Sequence, residues 1–261
     1  MQVNPMSPNV DIVTFADIPR RPAVLLAGLP GIGLVGKIAL DYLVKKLDSS
    51  LVSEVYLDSF PPQVNLNDRG VVELLRGELY YAETVQGKPL LLFTASAQPS
   101  SPEGQYLLSK KVVELAVNAG VEEIFTLAAY VTGEYSERPR VFVAATDEGT
   151  MARLKEAGAT IASGGAITGV NGLIVGFAKL RGLKGACLMG ETSGYIVDAA
   201  AAYAVLELLS KFLGLEVDME ELERRAREVE VVIRRMREEI MRMAERAERE
   251  KRPGEAPSYI S

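Results

Sequence analysis

The segment from Ala23 to Lys37 constrains the fold most, because it joins an apolar strand, a glycine-rich turn and the start of a helix. Gly31, Gly33 and Gly36 follow the G-x-G-x-x-G spacing of dinucleotide-binding turns. Glycines at such a turn are also needed where a helix packs closely on its sheet, with or without a ligand. The segment therefore predicts an α/β fold whose turn is either a ligand cradle or a structural element.

The same turn also resembles a phosphate-binding loop, since Gly31 to Lys37 has the spacing G-x-x-x-x-G-K. Ile38 follows, where such a loop needs a Ser or Thr hydroxyl for magnesium. This difference disfavours a magnesium-dependent NTPase. In the dinucleotide interpretation the acidic partner is Glu54 or Asp58 in the next apolar run.

The absence of histidine from the 261 residues excludes several classes of enzyme. Ser-His-Asp and Cys-His catalytic arrangements and two-histidine zinc sites all need imidazole, so no metal site is expected. Cys187, the single cysteine, lies in an apolar run and is expected to be a small buried side chain. Any catalysis would depend on carboxylates, Lys, Tyr, Ser or Thr.

Charge and hydropathy narrow the expected partners and location. The net charge of −6 offers no basic field, so nucleic-acid binding is not expected. No leader and no apolar run of about 18 residues is found, so we expect a cytoplasmic protein without a membrane partner.

Strand and helix patterns alternate along most of the chain, and the strands are continuous apolar runs. This pattern predicts an α/β protein with a mainly parallel sheet covered by helices on both faces. One hairpin is expected around Arg76-Gly77, between Val71–Leu75 and Glu78–Thr84.

Loops after parallel strands meet at one edge of such a sheet, where ligands bind. If the protein is an enzyme, Glu103 and Glu191 are the candidate acid-base residues, and otherwise no catalytic residue is assigned. The candidate ligand-binding residues are Gly31, Gly33, Gly36, Lys37, Thr192 and Ser193. Helix capping by Ser101, Glu103 and Thr192 is the alternative explanation.

A heptad seam begins near Asp218, with apolar residues spaced alternately three and four apart. Its predicted interface with another copy or a client consists of Met219, Leu222, Val229, Ile233, Met236, Ile240 and Met243. Such a helix is too long to lie wholly on a domain of this size, which favours self-association. An amphipathic helix packed on its own sheet domain is the alternative.

The predicted organisation has three parts. Residues 1–215 form the α/β core domain, 216–251 the heptad helix, and 252–261 a flexible tail that begins near a helix-breaking proline.

Several motifs in order resemble the proteasome-assembly-chaperone-2 family, especially its archaeal members, over roughly residues 10–225. They are Gly28–Gly36, Ser96-Ala-Gln-Pro, Ile167–Gly172 and Gly190-Glu-Thr192. The resemblance implies a three-layer α/β/α domain, phosphorylase-like in fold, that forms homo-oligomers. It also implies a chaperone of proteasome assembly that needs no cofactor, with proteasome subunits or other proteins as partners.

Family members that dock on the proteasome α-ring use a terminal hydrophobic-Tyr-any tripeptide. This chain ends in Tyr259, Ile260 and Ser261, so its tyrosine lies one residue out of register. The leading hypothesis is a homo-oligomeric, ATP-independent assembly chaperone. The alternative is a phosphorylase-like enzyme or small-ligand or nucleotide-binding protein that uses the Gly31–Gly36 turn.

Overall fold

The computed structural model describes residues 9–251, apart from the side chains of 236–238, 240 and 244–251. Its strands are β1 Val10–Thr14, β2 Val24–Ala27, β3 Ser50–Leu57, β4 Val64–Leu66, β5 Val72–Leu74, β6 Gly77–Glu83, β7 Pro89–Ala95, β8 Glu123–Val131, β9 Val141–Ala145, β10 Thr160–Ile161 and β11 Lys184–Thr192. Its helices are α1 Val35–Lys46, α2 Pro102–Ala119, α3 Glu148–Ala157, α4 Gly169–Leu180, α5 Ala199–Leu213 and α6 Glu220–Lys251.

Nine strands form one sheet in the order β1-β3-β6-β7-β2-β8-β11-β9-β10. The four central strands β7, β2, β8 and β11 are mutually parallel, as the alternating pattern predicts. Strands β1, β3 and β6 pair antiparallel at one side, and β9 pairs antiparallel with β11 at the other. The sheet is therefore mixed, because the connection from β6 to β7 is too short for a parallel crossover.

Helices cover both faces of the sheet, as expected from strands that are apolar throughout. Leu26 of β2 packs in a core cluster with α1, α3, α5 and the start of α6. The neighbouring Leu25 points to the opposite face and packs in a second cluster with α2 and α4. The α/β class and the helical cover on both faces are confirmed.

Helix α2 begins where its sequence signal predicts. Ser101 accepts a hydrogen bond from the Gly104 N–H at 3.1 Å, and Pro102 occupies the first turn. The helix ends at Gly120, which has a left-handed φ of 83°.

The prediction of a hairpin around Arg76-Gly77 is wrong. Strand β5 pairs instead with β4 in a separate two-stranded sheet, and β6 joins the main sheet between β3 and β7. The turn lies earlier, at Asn67 to Gly70, where the Asn67 side chain accepts hydrogen bonds from the N–H groups of Arg69 and Val71. Gly77 is required for another reason, since a Cβ there would lie 2.7 Å from Phe93 Cζ.

Candidate functional site

The glycine turn lies at the carboxyl end of β2, and its glycines are needed for close backbone packing. A Cβ on Gly36 would lie 2.0 Å from the Leu127 carbonyl oxygen of β8. A Cβ on Gly28 would lie 2.2 Å from the Gly36 carbonyl oxygen. Gly33 has a left-handed φ of 63°, whereas Gly31 is extended, and a Cβ on Gly31 would have no atom closer than 3.8 Å. Gly28 and Gly36 thus let α1 approach the sheet.

Lys37 does not extend freely beside the turn. Its ammonium donates hydrogen bonds to Asp41 Oδ1 at 2.8 Å and to Thr94 Oγ1 at 3.1 Å. The buried Thr94 hydroxyl also donates to the Gly28 carbonyl at 3.0 Å. The positive charge that a phosphate-binding loop would use is therefore paired with a carboxylate inside the protein.

Two amide side chains from distant parts of the chain hold the glycine turn in place. Gln98 donates to the Pro30 carbonyl at 2.6 Å and accepts from the Val170 N–H at 3.0 Å. Asn171, in the first turn of α4, accepts from the Leu29 N–H at 3.3 Å. Three of the four motifs of the sequence resemblance are joined by these contacts.

The loop after β11 closes the other side of the turn. Thr192 is fully buried and donates to Asp198 Oδ2 at 2.7 Å, while Asp198 caps α5 through the Ala201 N–H. The Asp198 N–H in turn donates to the Gly33 carbonyl at 2.9 Å. Ser193 is also buried, and its hydroxyl accepts from the Tyr195 N–H at 3.4 Å. These candidate ligand-binding groups have partners within the fold.

The two candidate acid-base residues lie in different settings. Arg140 binds both carboxylate oxygens of Glu191, at 2.7 and 3.1 Å, and adds a hydrogen bond from its backbone N–H. These hydrogen bonds hold the pKa of Glu191 below its ordinary value. Glu103 is exposed in the first turn of α2, where it faces the positive end of the helix dipole. Arg140 also lies 4.9 Å above the Phe142 ring, which stacks on Tyr130.

A crevice of about 910 Å³ opens beside the turn, between the end of β8 and the loop that leads into α4. Among the described residues that line it, none carries a charge. Its polar groups come from Gln98, Gln105, Tyr130, Thr168 and Asn171. The volume suits a small ligand, but the lining favours an uncharged one.

Helix α6 is anchored to the core at its start. Asp218, just before the helix, accepts a 2.6 Å hydrogen bond from Lys46, and its carbonyl accepts one from the Tyr42 hydroxyl. Leu222 is fully buried and Ala226 is 9% exposed, both within the core cluster that contains α1 and α5. Met219 packs against the same cluster, and Val229 is half-buried. The first turns of the seam thus lie on the chain's own domain.

Side chains further along α6 are more exposed. The helix runs back along α5, and Glu230 lines a surface pocket with Ala200 at the start of α5. The 21 residues after Glu230 span about 30 Å. Ile233 is half-buried, while Val232, Met241 and Met243 are 54%, 64% and 68% exposed. We call residues 231–251 the distal segment of α6.

Several predicted interface residues are not covered by these observations. The side chains of Met236 and Ile240 lie outside the described part of the chain, as do the tail residues Tyr259, Ile260 and Ser261 in full.

Metal ligands and membrane-spanning helices are not found in the described part of the chain. The described side chains of residues 9–251 include no group of three His, Cys, Asp or Glu placed to hold a metal ion. No helix within this range has the length and apolar character needed to cross a membrane.

The sequence prediction missed the residues that connect the motifs. Gln98 and Asn171 act across 68 to 142 positions, and the Arg140–Glu191 pair spans 51. Gln98 and Asn171 do stand within motifs of the resemblance, which was the available signal. Arg140 follows an irregular loop and had no local signal.

Comparison with known proteins places these features in context. The model of a family described as the PAC2 family matches residues 25–237. An uncharacterised protein of Methanocaldococcus jannaschii, MJ1210, is 37% identical over 231 residues, which are 87% of this chain and 89% of that protein.

Two crystal structures from Pyrococcus furiosus are also similar. PbaB, described as an archaeal proteasome activator, is 35% identical with a TM-score of 0.81, and the match covers 87% of this chain and 98% of PbaB. PbaA, described as an archaeal homologue of proteasome-assembly chaperone, is 29% identical with a TM-score of 0.71, over 90% of this chain and 100% of PbaA.

Proposed function

The chain belongs to the PAC2 family, and we propose that it is a homo-oligomeric, ATP-independent chaperone. In this proposal it assists proteasome α-ring assembly or binds related protein clients. The similarity to PbaB and PbaA over most of their lengths supports a role with proteasome subunits. No cofactor is part of this proposal.

The observation that carries the proposal is the division of α6 into two parts. Leu222 is buried on the chain's own core, whereas Met241 and Met243 further along the helix are more than 60% exposed. Large apolar side chains exposed along one helix favour contact with another protein surface. The helix therefore suits a role in assembly or client binding.

In the proposal, the distal segment is a coiled-coil-type helix whose heptad seam contacts another molecule. Its methionines are flexible and polarisable, so they adapt to more than one apolar partner. Its arginines and glutamates flank the seam and set the orientation of the partner through charge pairing. The tail with Tyr259, Ile260 and Ser261 then follows the helix as a candidate docking segment for the proteasome.

The first experiment compares the solution mass of the full chain with that of a chain ending at Glu230. This end point keeps Leu222 and Ala226 in the core, so the shortened domain retains its packing. We expect an oligomer for the full chain and a smaller species, down to the monomer, for the shortened one, measured by light scattering on a sizing column. Equal thermal unfolding of the shortened chain's core checks that it is folded. A monomeric full chain would contradict the proposal.

The second experiment tests the partner. Proteasome α subunits of the same organism are mixed with the full chain, with the chain ending at Glu230, and with a chain ending at Lys251. We expect co-elution with the full chain and its loss when the distal segment is removed. Retention with the chain ending at Lys251 would assign binding to the helix, and loss would assign it to the tail. No co-elution with any subunit would contradict a proteasome role.

A second candidate function rests on the crevice of about 910 Å³ beside the Gly31–Gly36 turn. A small-ligand binder would use this space. Glu103 and Glu191, the acid-base candidates of a phosphorylase-like enzyme, are not among the residues that line it, so the crevice favours binding over catalysis. The uncharged lining and the pairing of Lys37 favour an uncharged ligand over a nucleotide. A thermal-shift screen that compares neutral metabolites with phosphorylated ones tests this candidate. Stabilisation by nucleotides alone would contradict the preference for an uncharged ligand.

A further inference from the structure

The β4–β5 hairpin presents an apolar face that the rest of the described chain leaves uncovered. Its register pairs Val64 with Leu74 and Leu66 with Val72, so these four side chains share one face. Their exposed fractions are 48%, 62%, 69% and 64% in the order Val64, Leu74, Leu66 and Val72. We call these four residues the hairpin face.

The opposite side of the hairpin is polar, which makes the uncovered face distinctive. Asn65 and Glu73 pair across the strands on that side, and Glu73 binds Arg76 at 3.2 Å. A two-stranded ribbon is marginally stable in water unless its apolar face is packed against something. A hairpin with every branched side chain on one exposed face is therefore suited to a partner.

Negative charge surrounds this hairpin. Arg76 is shared by three carboxylates, with Glu54 at 2.7 Å, Glu78 at 3.0 Å and Glu73 at 3.2 Å. Residues 50–80 contain five acidic side chains and two arginines. A partner for the hairpin face should therefore combine apolar side chains with positive charge.

The distal segment of α6 has this combination. Val232 and Met243 are exposed on the same side of this helix, close to the heptad seam, whereas Met241 lies on the opposite side. Residues 231–251 contain seven Arg and Lys side chains and five Glu, so the segment is positive although the whole chain has a net charge of −6. Its apolar and charged groups complement those of the hairpin.

The hairpin face of one copy cannot be covered by the α6 of the same copy. Helix α6 packs in the layer of α1 and α5, whereas Phe60 and Leu75, at the two ends of the hairpin, pack in the opposite layer with α2 and α4. Helix α6 has no Gly or Pro from Glu220 to Lys251 at which a sharp bend would be expected. The segment that fits must come from another molecule.

We propose that the hairpin face binds the distal segment of α6 from a second copy of this chain. This inference rests on the proposed homo-oligomeric function and names the surface that the helix meets. The contact joins two different surfaces, so each copy donates one helix and receives another, and a closed ring satisfies all of them. In such a ring each copy is held by two contacts, one through its hairpin face and one through its helix.

Cross-linking between two single-cysteine variants tests the contact. Leu66→Cys protein carrying a mass tag is mixed with untagged Met243→Cys protein, exchanged, and treated with a short bismaleimide. Cys187 is fully buried, so the wild-type protein serves as the unreactive control. We expect a cross-linked species with the summed mass of the tagged and untagged chains, and the same result with Val232→Cys, which lies on the same side of the helix, whereas Met241→Cys on the opposite side should give none.

Each other outcome has a distinct meaning. Cross-links only between two Met243→Cys chains would show helix pairing with helix, and would overturn the hairpin contact while preserving the oligomer. Cross-links only between two Leu66→Cys chains would overturn it in favour of hairpins that face each other. An oligomer with no cross-link in any mixture would also overturn it, whereas a full chain that is monomeric by light scattering would remove the proposed function itself.

A matched pair of substitutions gives an independent readout. Leu66→Lys places a positive charge on the hairpin face, and Asn65→Lys places the same charge on the opposite side. Both positions are exposed, so neither change should unfold the domain. We expect Leu66→Lys to weaken oligomer association at least tenfold and Asn65→Lys to leave it within twofold, measured by dilution in light scattering. Equal effects of the two changes would overturn the proposal.

Discussion

The glycine turn and the distal segment of α6 differ in how many of their side chains find partners within the same chain. In the turn, Lys37 is paired with Asp41 and Thr94, and Gln98 bridges two loops. In the distal segment, Met241 and Met243 are exposed. The turn resembles a ligand site in sequence, yet its groups mostly stabilise the fold. The helix has no motif of a ligand site, yet its large apolar side chains are exposed.

The strongest test of a structural turn is Gly36→Ala, compared with Gly31→Ala. The new Cβ at position 36 would lie 2.0 Å from the Leu127 carbonyl, whereas at position 31 the nearest atom is 3.8 Å away. We expect Gly36→Ala to lower the free energy of unfolding by at least about 3 kcal/mol through overpacking, and Gly31→Ala by less than about 1 kcal/mol. Urea denaturation measures both. Similar small losses of stability in both variants would show that the turn does not need glycine at position 36 for packing.

The next test compares the two parts of α6. Leu222→Ala removes a fully buried side chain, so we expect a loss of about 2–3 kcal/mol in the free energy of unfolding. Met243→Ala changes a side chain that is 68% exposed, so we expect a change within about 0.5 kcal/mol at concentrations where the chain is monomeric. Denaturant titration at two protein concentrations separates folding from association. A large monomer effect of Met243→Ala would show that the distal segment is covered by its own domain.

Gln98→Ala tests the bridge between the turn and α4. It removes hydrogen bonds at 2.6 and 3.0 Å and leaves the Pro30 carbonyl and the Val170 N–H without these partners. We expect a loss of about 1–2 kcal/mol in the free energy of unfolding, against less than about 0.5 kcal/mol for the exposed Gln63→Ala. Thermal unfolding of both variants supplies the measurement. If Gln98→Ala left the free energy of unfolding unchanged and bound a small molecule more tightly, the result would favour a ligand-binding role for the turn.

The smallest expected effect concerns pH and the Arg140–Glu191 pair. Hydrogen bonds from Arg140 lower the pKa of Glu191 in the folded state, so the pair stabilises the protein above the ordinary glutamate pKa. This stabilisation is lost as the pH falls from the ordinary glutamate pKa, about 4.5, through the lowered pKa of Glu191. We expect Arg140→Gln to be less stable than the wild type near pH 7 and the difference to shrink in acid. A difference that stays constant from pH 7 to pH 3 would assign Arg140 a packing role alone.

Much of the fold follows from local sequence signals. Apolar runs marked the central strands, and Ser101-Pro102 and Gly120 marked the ends of α2. The hairpin was misassigned because Arg76-Gly77 was taken as its turn, although Asn67 and Gly70 form the actual one. Gly77 serves the close approach of Phe93, which no local pattern reports.

The candidate site was less predictable because its contacts join distant parts of the chain. Local sequence does not show that Asn171 reaches Leu29 or that Arg140 reaches Glu191. Nor does it show where the seam of α6 leaves the core, since Leu222 and Met243 obey the same heptad spacing. That depends on the neighbouring α5: Glu230 lies beside Ala200 at the start of α5, and the exposed Met243 comes later along α6.

An uninterrupted α6 also acts as a rigid arm whose length and angular phase are coupled. Each residue advances the helix by about 1.5 Å and rotates it by about 100°, so the arm fixes both the reach and the bearing of whatever follows Lys251. Seven inserted residues would extend the reach by about 10 Å and nearly preserve the bearing, whereas two would turn the end by about 200°. If α6 holds a partner as proposed, the number of residues in the helix sets the orientation of that partner.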